Sequence, residues 1–242
     1  MRKFLIILLI SFTTFSFKHG LVFASKLENE TAEVNIIKEL LVDITGDNVE
    51  ETIILSGLQK EGSPYYDKIK ITVSDDKTGK TKFAILPVTN YGYNPTIILE
   101  DFTGDGIKEV FYGASGGFNK DFGYFYLYSF NDGEVKTLFD YELDVNACNA
   151  TLLDYYKIKL NNSKSEFFID LSNKDKSLLN KFYKSNGKLI KKCELKISKV
   201  NYAYPYYDLK NNCFSLCVTR NVADISGVDV FCKIAQNCTF IN

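Results

Sequence analysis

Polar and apolar residues alternate in short runs along most of this chain, the period-two signature of strands that bury one face. From Lys68 to Val73, the side chains of Ile69, Ile71 and Val73 fall on one side and Lys68, Lys70 and Thr72 on the other. Lys157 to Leu160 repeats the alternation. The pattern predicts strands at Glu51–Ser56, Lys68–Ser74, Lys80–Leu86 and Thr96–Asp101, then at Glu109–Ala114, Gly123–Phe130, Glu134–Asp140 and Thr151–Tyr155. Asp76-Lys77-Thr78-Gly79 and Asn131-Asp132-Gly133 supply the residues that tight hairpin turns require. A helical period occurs from Lys174 to Lys184, where Leu178, Leu179, Phe182 and Tyr183 share a face. Ser172 with Asp175 reads as its capping box, and Gly187 lies just beyond its end. The expectation is an all-β fold with one short helix near 174–184.

The first 24 residues stand apart. Arg2 and Lys3 precede an uncharged apolar run from Phe4 to Phe17, shorter than the roughly 20 residues that a bilayer span needs. Val22-Phe23-Ala24 ends in small residues at the positions that signal peptidase reads, so residues 1–24 are expected to be a signal peptide cleaved before Ser25. An uncleaved anchor is the alternative. A lipoprotein is excluded, because the first cysteine is Cys148. Residues 25–242 are then one exported domain, secreted or at the cell surface, with no stable membrane span.

Losing the segment changes the available chemistry. Arg2, Lys3 and Lys18 leave, so 26 basic side chains face 30 acidic ones, and Arg220 is the one remaining arginine. That balance argues against nucleic acid as a partner. The single histidine, His19, leaves as well, which excludes a Ser-His-Asp or Cys-His relay and any His-containing zinc site.

The most informative feature is an internal repeat. Leu41 to Leu55 reads L-V-D-I-T-G-D-N-V-E-E-T-I-I-L, and 58 residues later Leu99 to Gly113 reads L-E-D-F-T-G-D-G-I-K-E-V-F-Y-G. About four strands per period is the anatomy of a propeller blade, so the expectation is a propeller-like array of about four small antiparallel sheets. The repeated segment places oxygen donors at alternate positions around a sharp turn. In the first copy these are Asp43, Thr45, Asp47, the carbonyl of Val49, and Glu51; in the second they are Asp101, Thr103, Asp105, the carbonyl of Ile107, and Glu109. All-oxygen ligation of this kind suits Ca²⁺, and three neighbouring carboxylates repel one another unless a cation intervenes. Gly46, Gly104 and Gly106 permit the turn, with Asn48 in place of a second glycine in the first copy. An EF-hand is ruled out, since Ile54 and Tyr112 stand where its last carboxylate would be. An acidic turn that never takes metal is the competing reading.

On these residues the chain resembles proteins with integrin-like repeats, the FG-GAP or VCBS repeats, from about Asp43 to Phe130. The resemblance implies a β-propeller-like fold, calcium in the loops and an exported adhesive or ligand-binding role. Asp208-Leu-Lys-Asn-Asn212 is a faint third copy that lacks the later acid, so no metal role is carried to Asp208.

Other segments carry less. Gly113-Ala-Ser-Gly-Gly117 lacks the ending of a phosphate loop, and its small residues suit close packing instead. Tyr124 to Tyr128 fits either a sugar groove or a strand buried on both faces, while Tyr202, Tyr204, Tyr206 and Tyr207 read as an aromatic surface loop. Six cysteines, five of them from Cys193 onward, allow disulfides or buried thiols. The functional expectation is a calcium-stabilised binding or adhesion scaffold for a protein or glycan partner, without catalysis. The alternative is an extracellular hydrolase or lyase acting on polysaccharide, with Asp121, Asp140 and Asp144 as candidate acids.

Overall fold

The computed structural model describes residues 33–59, 62–117, 122–143, 148–161 and 165–241. The expected signal segment 1–24, Asp121 and Asp144 lie outside the described residues. Among the described residues fifteen strands and one α-helix follow in chain order. Strands β1 (Glu33–Val42), β2 (Glu51–Gln59), β3 (Tyr65–Asp75) and β4 (Thr81–Ile85) make a first antiparallel round. β5 (Gly92–Glu100), β6 (Glu109–Ser115), β7 (Gly123–Ser129) and β8 (Lys136–Asp140) make a second. Then come β9 (Asn149–Leu153), β10 (Lys157–Asn161), β11 (Glu166–Asp170), helix α1 (Lys176–Phe182), β12 (Leu195–Ile197), β13 (Tyr202–Asp208), β14 (Cys213–Asp224) and β15 (Val230–Cys238).

The all-β expectation with one helix holds. Among the described residues there are three antiparallel sheets: eight strands from β1 to β8, three strands from β9 to β11, and four strands built around β14. The first two rounds are joined into one sheet because β3 also pairs with β5, through Tyr65 opposite Tyr93 and Tyr66 opposite Gly92. Beyond shifts of a few residues at strand ends, the sequence reading missed β1 and β11 to β15 and misassigned one strand. No strand was expected over 33–42, yet β1 opens the first round and pairs along the whole of β2. Thr151–Tyr155, expected as the last strand of the second round, overlaps β9, which pairs with β10 in the three-stranded sheet.

The period-two positions do what alternation demands. Ile69, Ile71 and Val73 are buried, as are Ile158 and Leu160. They fill two cores. The larger joins Ile44, Ile53, Leu55, Phe102, Tyr112 and Phe130 of the first sheet to Leu216 and Val218 of β14. The smaller packs Leu152, Ile158, Leu179, Tyr183, Val222 and Phe231 around α1. The helix starts later than the sequence suggests: Asp175 is the cap and its carboxylate accepts from Ser177 N at 2.7 Å, while Ser172 instead follows a turn held by Asp170. Tyr124 to Tyr128 lies in β7, with Phe125, Tyr126, Leu127 and Tyr128 buried and Tyr124 half-buried, so most of that segment is core.

No disulfide joins any of the six cysteines among the described residues. In the C-terminal sheet Cys213 and Cys217 are four residues apart on one strand, Cys238 faces Leu216, and Cys232 faces Val222, so no two cysteines stand opposite each other there. Among the described residues no helix is long and apolar enough to cross a membrane.

Phe102 links the first sheet to the last. It is fully buried, and its ring lies 6.0 Å from that of Phe214 and 6.4 Å from that of Phe240. Phe102→Ala is expected to cost about 3–5 kcal/mol of stability in urea unfolding, the range for emptying a buried aromatic position.

Candidate functional site

Each round places its acidic turn between its first and second strands, Asp43 to Glu50 between β1 and β2 and Asp101 to Lys108 between β5 and β6. Matching atoms of the two turns make the same hydrogen bonds. Asp43 accepts from Gly46 N at 2.7 Å through Oδ1 and from Asn48 N at 2.8 Å through Oδ2. Asp101 does so from Gly104 N at 2.6 Å and Gly106 N at 2.9 Å. Asp47 Oδ1 takes the amide of Val49, and Asp105 Oδ1 that of Ile107, both at 2.8 Å. Glu51 accepts from Ile44 N at 3.1 Å and Thr45 Oγ1 at 3.2 Å; Glu109 accepts from Phe102 N at 2.8 Å and Thr103 Oγ1 at 3.2 Å. Backbone φ is positive at Gly46 and Asn48, and at Gly104 and Gly106, so Asn48 fills the glycine role as its residue type allows.

The carboxylates turn toward their own backbone amides, and among the described residues no group of three or more His, Cys, Asp or Glu is gathered as metal ligands. The two turns instead abut each other: a Cβ on Gly46 would fall 2.4 Å from Ile107 Cδ1. Asn131, from the short turn before β8, donates its amide to Asp105 Oδ2 at 3.2 Å.

Electrostatics separates the copies. Glu51 and Glu109 are both fully buried. In the first copy Lys82 Nζ lies 2.5 Å from Glu51 Oε1 and 3.4 Å from Asp47 Oδ2. The hydrogen bond to Glu51 raises the Lys82 ammonium above its usual range, while the Val49 amide and then Lys82 hold Asp47 below its own. In the second copy no ion pair reaches Asp101, Asp105 or Glu109 among the described residues. Burial, with repulsion from Asp105 and Asp101, outweighs the bonds from Phe102 and Thr103 and pushes Glu109 up to about 7. Sequence reasoning listed Glu51 and Glu109 as equals and missed Lys82; its signal was a lysine within a strand run directly after a turn.

A second feature lies between β7 and β13. Tyr202, Tyr204 and Tyr207 are exposed as expected, but on a strand and not a loop, because β13 pairs with β14 along its whole length. Pro205 is tolerated there at the edge of the sheet. Tyr202 meets Phe125 edge to face at 5.8 Å, and with Phe111, Phe122 and Tyr204 they wall a groove of about 220 Å³ floored by Gly113 and Ala114. The small residues from Gly113 onward therefore make room for rings: a Cβ on Gly113 would sit 3.2 Å from Phe125, and one on Gly116 would fall on the Phe122 ring. Asp140 is engaged in its own turn, accepting from Glu142 N at 2.8 Å.

These features define a mostly β protein with paired acidic hairpin turns and an aromatic groove. The family model that matches is the YybI C-terminal domain, over residues 146–241. The chain is similar to "Uncharacterized protein YybI" of Bacillus subtilis (strain 168), 27% identical over 189 residues that cover 75% of this chain and 70% of that protein. These findings overturn the resemblance to FG-GAP or VCBS repeats, since neither match is to such a repeat. The physical reason lies in the turns: an aspartate that satisfies two amides of its own loop is a local solution open to any β-hairpin, and it does not mark a lineage.

The contrast between the copies sets opposite signs for two isosteric changes. In metal-free buffer Glu109→Gln is expected to raise the thermal midpoint by removing a buried charge without a cation, and Glu51→Gln to lower it by stranding Lys82. Thermal unfolding of the two variants beside the parent checks both signs.

Proposed function

We propose that this protein is an exported binding or adhesion scaffold, stiffened by calcium in its acidic turns, whose aromatic groove engages a protein or glycan. The observation that carries the reading is Glu109, fully buried beside Asp101 and Asp105, with no cation paired to any of them among the described residues. The donor chemistry fits a hard cation: Asp101, Thr103, Asp105, the carbonyl of Ile107 and Glu109 offer oxygen alone, and Asp43, Thr45, Asp47, Val49 and Glu51 are their counterparts. Calcium would supply the positive charge that the buried carboxylate lacks. The cation place is defined by correspondence, since Lys82 puts an ammonium between Asp47 and Glu51, and the matching pair is Asp105 and Glu109.

The ringed wall of the groove suits the face of a sugar or an aromatic side chain. Export rests on the composition of residues 1–24, and with it a secreted or cell-surface location. A propeller-like stacking of the rounds belongs to the same proposal, supported by the recurrence of four strands and one acidic turn from β1–β4 to β5–β8.

Calcium titration with thermal unfolding as readout tests the reading. The midpoint is expected to rise with calcium by mass action, about 2.7 kcal/mol of added stability at a hundredfold excess over Kd. Asp101→Ala with Asp105→Ala should remove much of that rise. A parent protein whose midpoint ignores calcium up to about 10 mM, beyond the range of extracellular sites, would overturn the proposal.

A further inference from the structure

Register makes the two rounds comparable residue by residue. Thr52 pairs with Ser74 in the first and Val110 with Tyr128 in the second. Ser74 then pairs with Thr81 and Val73 with Phe83, while Tyr128 pairs with Thr137 and Leu127 with Phe139. Both ladders shift at this point, between Val73 and Ser74 and between Leu127 and Tyr128. The extra residue in the first bulge is Lys82, and in the second it is Leu138.

We infer that Lys82 is a built-in counter-ion that takes the place of metal in the first turn, so that calcium enters the second turn alone. The inference rests on the calcium reading above and deepens it. Lys82 sends its ammonium from the bulge to Glu51 Oε1 and Asp47 Oδ2, and its side chain is 27% exposed against 0% for Glu51. A divalent ion arriving there meets a positive charge held by the two carboxylates it needs, one of them, Glu51, shielded from water and the other, Asp47, half-exposed. Leu138, in the matching bulge, packs its side chain against the larger core and offers the second turn nothing of the kind. The same fold position is thus a cation in one round and an apolar filler in the other.

One consequence concerns where calcium acts. The second turn is fastened to the C-terminal sheet: Phe214 N donates to Asp101 O at 2.7 Å, and Phe102 packs against Phe214 and Phe240. Metal at Asp105 and Glu109 would stiffen the junction between the first sheet and β14, whereas the first turn keeps its stiffness at any calcium level.

Equilibrium dialysis and calorimetry with calcium alone on the purified protein decide the matter, with circular dichroism confirming that each variant is folded. The parent should take up one equivalent, Lys82→Met two and Lys82→Arg one. Asp43→Ala with Asp47→Ala should keep one equivalent, and Asp101→Ala with Asp105→Ala should keep none. Should Lys82→Met fail to fold, the count in the parent and in the two double variants still decides. Two equivalents in the parent, one in folded Lys82→Met, or loss of the site on changing the first turn would overturn the inference and leave the calcium reading standing. No uptake by the parent would overturn both.

Discussion

A carboxylate taken wholly out of water costs several kcal/mol unless hydrogen bonds and positive charge compensate it. Glu51 and Glu109, the first residues of β2 and of β6, are both without solvent exposure; Glu51 has hydrogen bonds and the Lys82 ammonium, whereas Glu109 has hydrogen bonds alone among the described residues. Each accepts the backbone amide of the residue after its turn's leading aspartate, Ile44 or Phe102, and both of those residues are themselves fully buried in the larger core. The glutamate thus ties the hairpin turn to the core from within. Removing either tie frees both an amide and a core side chain.

The second tie reaches further. Phe102 touches aromatic rings from β14 and from the segment after β15, so the position of the Asp101 turn and that of the C-terminal sheet are set together. β14 is the hairpin partner of β13, whose Tyr202 and Tyr204 wall the groove against β7. Acidic turn and groove are therefore two features of one packed junction. Burial also pushes the Cys213 thiol up, with Asp101, Asp208 and Glu109 adding to it, which keeps a sulfur at this junction protonated and unreactive.

Much of this was legible in the sequence. Alternation located most strands because Ile69, Ile71 and Val73 have only one face to bury, and the doubled D-x-T-G-D segment marked the two turns correctly. β1 escaped because Ile36, Ile37, Leu40 and Leu41 fall at helical spacing while strand pairing sends Ile36 and Leu41 outward. The helix cap was misplaced because Ser172 and Asp175 both suit the role, and only the coordinates show which backbone amide is nearest. The turns were legible as chemistry but not as geometry. Spacing gives oxygen donors, whereas the direction of each carboxylate depends on amides within its own loop. Lys82 stood 31 residues from Glu51, a partner that only the register of β2, β3 and β4 brings close. The kinship drawn from the turns failed for the related reason that local hydrogen bonding explains them without common descent.

The central claim is that a buried carboxylate needs a cation and that the two rounds find it differently. A crystal structure of the protein grown in calcium tests this most directly. One ion is expected, bound to Asp105 and Glu109 with oxygen ligands at about 2.3–2.6 Å, with the Lys82 ammonium at the matching place between Asp47 and Glu51. An ion at both turns, or none at either with Glu109 still buried, would contradict it.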